Sequence, residues 1–482
     1  MGGLLGPAQA EDPKPAQATR RDLALHLQRL ETAIRTKHDA FEAKKAEVAG
    51  LVGRATVAFY SSNGNAALDA LGEARALLVG RPWDAEAAAR NRVRLVVAPV
   101  VVRAKEGPTS VEVRLEALGT PPGEGVALVR WAEWSGGDPR TISAAMPFAT
   151  WAKTPLPPWV VPDDARGRVD LAVLLDTPAN VATEVAHRVR GTCCVVDADV
   201  PARFERVRTA LAGVRDAPAG TPAGVRPTLD RLVARVGQAL LGKVGDVVPD
   251  VGEELRRLEQ GVEGFAAAAS ASRPYHPPRT ALEGDSHRAT GRGRPYRLLV
   301  PAPGARSPRT PPLVVTLHGV GGNEDMYFEA YGGGEAVRQA EKRGWVLASP
   351  EDPKDAIEVA EDVRTLLGID EHRIYLTGHS MGAGAAWAAA VARPDLWAAI
   401  APVSGGWTSM TQPAWSALSK LPVLALTGEQ DLSRMMAERT ATQAKAGGVP
   451  VEKRTVPALD HLLVVGETLP DVFEFFDTHV KP

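Results

Sequence analysis

The chain has few cysteines, almost no net charge and no long apolar run. Its two cysteines among 482 residues, Cys193 and Cys194, are adjacent, can close only a strained ring, and are expected to be two buried thiols in a strand. They cannot build a cysteine metal cluster, and we predict no metal or cofactor. The formal charge of −2 gives no general reason to expect a nucleic acid or an anionic membrane as partner. No apolar run reaches the length of about eighteen residues that a membrane span requires.

Residues 1–19 have the composition of a flexible tail and resemble the end of a secretory signal. Ala8 and Ala10 are placed as in an A-x-A cleavage site, although a basic segment and most of an apolar segment are missing in front of them. We therefore expect a periplasmic or secreted protein, with a cytoplasmic location as the alternative.

The next part of the chain changes its apolar period twice. Within residues 20–90, apolar residues recur at spacings of three, four and seven, which is typical of amphipathic helices that need a partner. Residues 91–199 instead contain short alternating runs separated by Pro/Gly turns, which favours an antiparallel β-sandwich-like domain. Helical spacing resumes over residues 200–268. We expect this second helical region to pack with the first, so that the β-rich domain is an insertion between them.

Four tryptophans gather in the β-rich region: Trp131, Trp134, Trp151 and Trp159. Packing in the core and loops is the ordinary role of such residues, and an exposed aromatic platform for a sugar or polymer is the alternative. A polymer or protein is therefore a candidate partner of the N-terminal region.

The C-terminal part has the pattern of an α/β domain. Residues 269–294 have the composition of a linker, rich in Ser, Pro, Gly, Arg and Thr. Over residues 295–482, apolar runs alternate with helical stretches, which predicts a doubly wound, mostly parallel sheet. The predicted strands are 296–300, 313–317, 345–349, 374–377, 398–403, 422–426 and 451–456.

The motif on which a catalytic interpretation depends lies between a strand and a helix. Residues 374–377 are typical of a buried strand, and the alanine-rich segment 383–392 favours helix. Between them, Gly378, Ser380 and Gly382 form the pattern G-x-S-x-G. In this context the sharp turn lifts a serine hydroxyl above the sheet, so Ser380 is the predicted nucleophile.

A serine nucleophile needs a histidine to take its proton. In strand–turn–helix sites of this kind the order along the chain is serine, acid, histidine. Only His461 and His479 follow Ser380. His479 lies near the end of the last predicted helix, where a surface role is expected. His461 follows the predicted strand 451–456 in a strand-end loop, so His461 is the predicted base.

The histidine needs a carboxylate to fix its tautomer. Glu429 and Asp431 both follow the carboxyl end of the predicted strand 422–426, where the catalytic loops of open α/β sheets belong. Asp431 is preferred, because a glycine turns the chain just before it so that its carboxylate can face His461; Glu429 is the alternative. The carboxylates between Ser380 and His461 are Asp395, Glu429, Asp431, Glu438, Glu452 and Asp460.

Ester or amide cleavage also needs donors for the oxyanion. One should be the backbone N–H of Met381, directly after the nucleophile. The loop 318–322, an HG-x-GG sequence directly after a predicted strand, offers a second at the N–H of Val320. His318 and His379 are expected to be scaffold residues beside the turn, with contact to substrate as the alternative.

Two features bear on the substrate. Trp407, Met410 and Trp415 are candidates for an apolar wall of the binding site, with simple packing as the alternative. Only about fifty residues separate Ser380 from Asp431. That spacing leaves no room there for a large lid, which favours an open cleft that admits bulky or polymeric esters.

With these motifs, residues from about 290 to 482 resemble an α/β-hydrolase of the polyhydroxybutyrate-depolymerase and feruloyl-esterase type. They are also similar to bacterial predicted peptidases of phospholipase/carboxylesterase-like character. Relatives often have Gly-Gly at Gly382 and the next position, whereas Ala383 follows here; after Asp431 they often continue to Val-Pro, whereas this chain has Leu432. The resemblance rests on the segments 317–323, 369–382, 394–406, 428–431 and 460–461.

The resemblance implies a serine esterase that hydrolyses carboxylic esters, feruloyl, acetyl or polyester in type, through an acyl-enzyme. A serine peptidase of prolyl-oligopeptidase-like type is one alternative, because the same triad cleaves amides. A binding or scaffold protein with a vestigial hydrolase domain is another. The substrate would be a small-molecule or polymeric ester.

Overall fold

The chain begins with a helical layer. The computed structural model describes residues 17–104, 109–118, 126–134, 146–147, 158–176, 187–245, 247–303, 310–407 and 415–482. The first helices are α1 (Arg20–Thr36), α2 (His38–Tyr60), α3 (Gly64–Leu78) and α4 (Ala85–Asn91). A capping box opens α1: the Thr19 N–H donates to the Asp22 carboxylate at 2.8 Å, and the Asp22 N–H donates to the Thr19 hydroxyl at 3.3 Å. The start of α1 is thus specified locally.

The β-rich region forms two sheets. Its described strands are β1 (Val93–Ala98), β2 (Val101–Arg103), β3 (Thr109–Ala117), β4 (Val126–Trp134), β5 (Met146–Pro147), β6 (Trp159–Val161), β7 (Gly167–Asp176) and β8 (His187–Val196). One sheet has the order β1-β3-β6 and the other β2-β8-β7-β4-β5. Val111 of the first sheet shares a hydrophobic cluster with Val169 and Cys193 of the second. The two sheets therefore bury apolar side chains in a common core.

The adjacent cysteines lie in β8, where both are free and fully buried, as predicted. Burial raises the pKa of each thiol to about 12, which keeps both protonated and inert. Trp159 is buried in the cluster between the sheets. The side chains of Trp131 and Trp134, and the whole of Trp151, lie outside the described residues, so the aromatic platform stays a prediction.

Three helices follow the β-rich region: α5 (Val200–Gly213), α6 (Val225–Leu240) and α7 (Val251–Ser270). Leu229 and Leu255 of these helices share a cluster with Cys194 and Val196 of β8. The prediction that residues 200–268 pack with residues 20–90 is therefore wrong. The apolar stripes of the later helices bury against the β-rich region, and those of α1 to α3 bury elsewhere.

The C-terminal domain (residues 284–482) is built on one eight-stranded sheet of order β16-β15-β14-β13-β11-β12-β10-β9. Strands β11 to β16 run parallel, whereas β10 is antiparallel to β12 and β9. The sheet is thus mostly parallel, as predicted. Its strands are β9 (Gly284–Ala289), β10 (Pro295–Val300), β11 (Leu313–Leu317), β12 (Val346–Pro350), β13 (Ile374–His379), β14 (Ala399–Val403), β15 (Val423–Gly428) and β16 (Val451–Val456).

Strand β9 corrects the predicted linker 269–294. Residues Gly284–Ala289 pair with β10 along its whole length and form the edge of the sheet. An edge strand needs backbone partners on one side only, so its polar sequence is compatible with pairing although it does not look like a buried strand.

Helices cover both faces of this sheet. On one face Val363, Trp387 and Ala441 belong to one cluster, and on the other Ala340 and Phe473 belong to a second. The helices of the domain are α9 (Glu335–Arg343), α10 (Ala356–Leu367), α11 (Met381–Ala392), α12 (Arg434–Ala446) and α13 (Leu463–Asp477), preceded by the short α8 (Arg279–Leu282).

Helices α1 to α3, which we call the N-terminal cap (residues 20–78), pack on the C-terminal domain. Leu30, Ile34 and Phe41 of the cap share a single hydrophobic cluster with Tyr331 and Val464 of that domain. The amphipathic helices at the start of the chain thus find their apolar partner near its end.

Candidate active site

Ser380 occupies a strained turn between β13 and α11. Its φ is +57°, in the left-handed region that non-glycine residues rarely adopt. A Cβ at Gly378 would overlap the carbonyl of Gly382, and a Cβ at Gly382 would overlap the carbonyl of Leu317. The Ser380 N–H donates to Val403 O at 2.9 Å, which ties the turn to β14. The two glycines are therefore required for the close approach that holds Ser380 at the carboxyl end of the sheet.

His461 and Asp431 form a buried pair. His461 Nδ1 lies 2.8 Å from Asp431 Oδ1, and both residues are less than a tenth exposed. Burial alone would raise the pKa of Asp431, but its hydrogen bond with His461 and the charge of that ring hold this pKa at about 2. The ionised carboxylate accepts the Nδ1–H, so the other ring nitrogen of His461 is left as a base.

Further donors hold the Asp431 carboxylate. The Ser433 N–H donates to Oδ1 at 2.7 Å, and the Thr427 hydroxyl donates to Oδ2 at 3.2 Å. Glu429, the alternative acid, is turned away: its Oε2 accepts the N–H of Ala458 at 2.9 Å. The structure therefore brings Asp431, and not Glu429, to His461.

Ser380 and His461 line one cavity of about 200 Å³, together with the glycine loop after β11. A Cβ on Gly319 would lie 3.2 Å from the Ser380 Cβ, so this loop runs directly against the nucleophile turn. Val320 is exposed to the same cavity. Met381 is the first residue of α11, where backbone N–H groups have no partner within the helix. The loop that contains Val320 and the first residue of α11 thus both border Ser380, and the oxyanion role of their N–H groups stays a prediction.

His379 lines the cavity of Ser380 and also lies in a chain of hydrogen bonds. Its Nε2 lies 2.8 Å from the carbonyl oxygen of His461, which can only accept, so Nε2 carries the proton. Nδ1 then accepts from the hydroxyl of Tyr331 at 2.8 Å. Burial, followed by the nearby charge of His461, lowers the pKa of His379 to about 3. His379 thus stays neutral and connects Tyr331 to the backbone of His461.

His318 also contacts backbone oxygens. Its two ring nitrogens lie 2.8 Å from Gly319 O and 2.8 Å from Glu351 O, and the ring is buried. It therefore holds the glycine loop against the loop after β12 and is absent from the described cavity lining. His479 is absent from the described cavity lining, and its Nδ1 lies 2.7 Å from Phe475 O in the preceding helix turn.

The predicted aromatic wall lies elsewhere. The rings of Trp407 and Trp415 are 6.0 Å apart, and Trp415 meets Trp387 at 5.4 Å on the face covered by α11. Neither Trp407 nor Trp415 is among the described residues that line the cavity of Ser380. Met410 lies outside the described residues.

The N-terminal cap forms part of the cavity wall, which the expectation of an open cleft did not include. The spacing between Ser380 and Asp431 leaves no room for an inserted lid, but these wall residues come from more than three hundred positions upstream of Ser380. Arg168 and Thr192 of the β-rich region also reach the cavity. Sequence reasoning missed the residues contributed by α1 to α3, which are Arg20, Arg21, Leu23, Ala24, Leu25, Leu27, Gln28, Ala55, Thr56, Phe59, Tyr60, Ala67 and Leu71. The amphipathic pattern showed that α1 needs a partner, but not which one.

The described residues offer neither a cluster of metal ligands nor a membrane span. Within the ranges given above, no group of three or more His, Cys, Asp or Glu side chains is arranged to hold a metal ion. In the same ranges, no helix combines the length and the apolar character needed to cross a bilayer.

Known proteins resemble part of the chain. No family model matches it, and no curated protein matches it. A solved structure described as a thermostable esterase is 24% identical, with a TM-score of 0.33, over 39% of this chain and 59% of that chain. The S-formylglutathione hydrolase FrmB from Staphylococcus aureus is 16% identical over 38% of this chain and 90% of its own, with a TM-score of 0.32. A ferulic acid esterase is 13% identical over 38% of this chain and 91% of its own, with a TM-score of 0.33. Each of these three likenesses covers about two fifths of the chain.

Proposed function

We propose that this protein is a serine esterase of α/β-hydrolase type that cleaves carboxylic esters through an acyl-enzyme. The observation that supports it most is the buried Asp431–His461 pair, 2.8 Å apart, lining one cavity with a serine on a strained turn. The N–H groups of Val320 and Met381, in the two segments that border Ser380, are the proposed oxyanion hole.

The reaction starts when Ser380 Oγ attacks the ester carbonyl and its proton passes to Nε2 of His461. Asp431 accepts the Nδ1–H and stabilises the imidazolium that forms. The N–H groups of Val320 and Met381 bind the oxyanion. His461 then gives the proton to the leaving alcohol, and the acyl group stays on Ser380. A water that His461 deprotonates attacks this acyl-enzyme and releases the acid.

The cavity bears on the type of ester. Ser380 lies under the N-terminal cap in a space of about 200 Å³, lined largely by apolar side chains. A small ester fits this space better than a polyester chain, so we place acetyl and other low-molecular-weight esters ahead of polymers. Feruloyl esters are retained as a test substrate, because the sequence resembles feruloyl esterases.

The test is hydrolysis of p-nitrophenyl butyrate, methyl ferulate and peptide anilides by the wild type, Ser380→Ala and Ser419→Ala. Ser419 is an exposed serine on the same domain and serves as the matched control. We expect ester hydrolysis that falls at least a thousandfold in Ser380→Ala and is unchanged in Ser419→Ala. Cleavage of the anilides alone would mean that the protein is a serine peptidase and not an esterase. Full activity in Ser380→Ala would refute the mechanism, and a wild type inactive on every substrate would favour a binding or scaffold role.

A further inference from the structure

The N-terminal cap is a fixed wall of the cavity. Its helices belong to the same hydrophobic cluster as the C-terminal domain, including Leu30 from α1 and Leu463 from α13. The Arg20 guanidinium donates to the carbonyl oxygens of Gly321 and Gly322, the second at 3.2 Å, and so ties α1 to the glycine loop. On α2, the Ala46 carbonyl accepts the side-chain N–H of Gln430 at 3.4 Å, beside Asp431. A layer fused to the core and attached to both catalytic loops does not open as a separate lid.

One apolar stripe of helix α1 makes its contact with the shared core. Leu27, Leu30 and Ile34 belong to this core stripe, and Leu23 packs against the same cluster. Leu23 and Leu27 also line the cavity of Ser380, together with Arg20, Ala24 and Gln28 on the adjoining side of the helix. Ala24 lies outside the core cluster, so its side chain is available to contact a ligand.

Most of the cap residues that line the cavity are apolar. Phe59 of α2 and Leu71 of α3 extend the surface begun by Leu23 and Leu27. On the side of the catalytic residues, Leu462 directly follows His461 and also lines the cavity. An apolar group attached to a carbonyl at Ser380 would therefore be enclosed between the cap and the C-terminal domain, where each buried CH2 contributes about fourfold in binding.

We propose that the N-terminal cap, and in particular the α1 face around Ala24, sets the size of the apolar acyl group that this enzyme accepts. The substrate class is an ester with a short or medium alkyl acyl chain, and the end of that chain contacts the cap. This inference rests on the proposed ester hydrolysis at Ser380, which it deepens by assigning specificity to residues far from the catalytic loops.

The test fills the cavity from the cap side with Ala24→Phe. Ala24 is half-buried, lines the cavity and belongs to neither the core stripe nor the catalytic residues. Ala43→Phe is the matched control, since Ala43 is exposed on α2. kcat/KM is measured with p-nitrophenyl acetate, butyrate and hexanoate. We expect the ratio of kcat/KM on hexanoate to kcat/KM on acetate to fall about fifteenfold in Ala24→Phe, the loss expected when two CH2 groups leave the apolar pocket, and to stay unchanged in Ala43→Phe.

Two outcomes separate this inference from the proposed function. If the wild type hydrolyses the esters and Ala24→Phe has the chain-length profile of Ala43→Phe, the inference is wrong and the esterase stands. If the wild type hydrolyses none of them, the proposed function fails. Calorimetric binding of methyl hexanoate and methyl acetate to Ser380→Ala then tests the cap directly. Tighter binding of the hexanoate that is lost in the Ser380→Ala/Ala24→Phe double variant supports the inference; equal binding in both variants overturns it. Circular dichroism of each variant verifies folding.

Discussion

Glu31 makes the attachment of the N-terminal cap sensitive to pH. It lies on α1, is 3% exposed, and its Oε1 has no hydrogen-bond partner among the described residues. Burial, followed by the charge of Glu467 on α13, raises the pKa of Glu31 from 4.5 to about 8, although the Gly332 N–H bonds to the carboxylate. At neutral pH the side chain is therefore protonated in the folded protein.

The raised pKa of Glu31 determines whether the free energy of unfolding rises or falls with pH. Between pH 4.5 and 8 the folded protein holds a proton on Glu31 that the unfolded chain releases. The free energy of unfolding then falls as the pH rises, by about 1.4 kcal/mol per pH unit. The stabilisation that the protonated Glu31 contributes to the folded state is fully present below pH 4.5 and is lost as the pH rises through 8. From pH 6 to pH 8 the protein should lose about 2 to 3 kcal/mol through Glu31 alone.

Glu31→Gln should remove this loss. The amide keeps the shape and an acceptor for the Gly332 N–H but does not ionise. Urea unfolding of the wild type and the variant at pH 6, 7 and 8 measures the two slopes, with Glu47→Gln, exposed on α2, as the control. Burial also raises the pKa of Asp460 to about 7 and that of Glu467 above its ordinary value, but both titrate in every variant. Equal slopes in the wild type and Glu31→Gln would refute the reasoning.

Three further predictions concern the site and the cap. Asp431→Asn should lower kcat for ester hydrolysis by about three to four orders of magnitude, because an amide can hold the wrong tautomer of His461. Steady-state kinetics measures this loss, and a loss below tenfold would contradict the prediction. Tyr331→Phe removes the donor to His379 and should reduce the free energy of unfolding by about 1 to 3 kcal/mol and lower kcat with little change in KM. Deletion of residues 17–78 should give an aggregated protein, because an apolar face of the C-terminal domain is then exposed; a monomer in gel filtration with a cooperative melt would oppose this.

Much of the candidate site was accessible from the sequence because its parts are local. Gly378 and Gly382 can be recognised without a structure, since the turn they permit is encoded within five residues. The expectation for Asp431 and His461 came from the order of the chain and from their places just after strands, and the structure brings them together.

The packing partners of elements that are distant in the chain could not be predicted from the sequence. Helical spacing shows that α1 is amphipathic, but the same spacing fits any apolar surface, so the assignment of residues 200–268 as its partner was wrong. Strand β9 is polar and is recognised only by its pairing with β10. Helix α13 runs from Leu463 to Asp477 with Pro470 inside it, although a proline favours the first turn of a helix, so the sequence alone does not indicate where this helix starts.

The shared cluster of the cap has a consequence for biosynthesis. Leu30 leaves the ribosome 434 residues before Val464, which belongs to the same cluster. At about 5 to 20 residues per second, the cap helices wait roughly 20 to 90 seconds for their apolar partner. During that interval their buried stripe is exposed, so the nascent chain is the stage at which this protein depends most on chaperones, and slower translation lengthens the exposure.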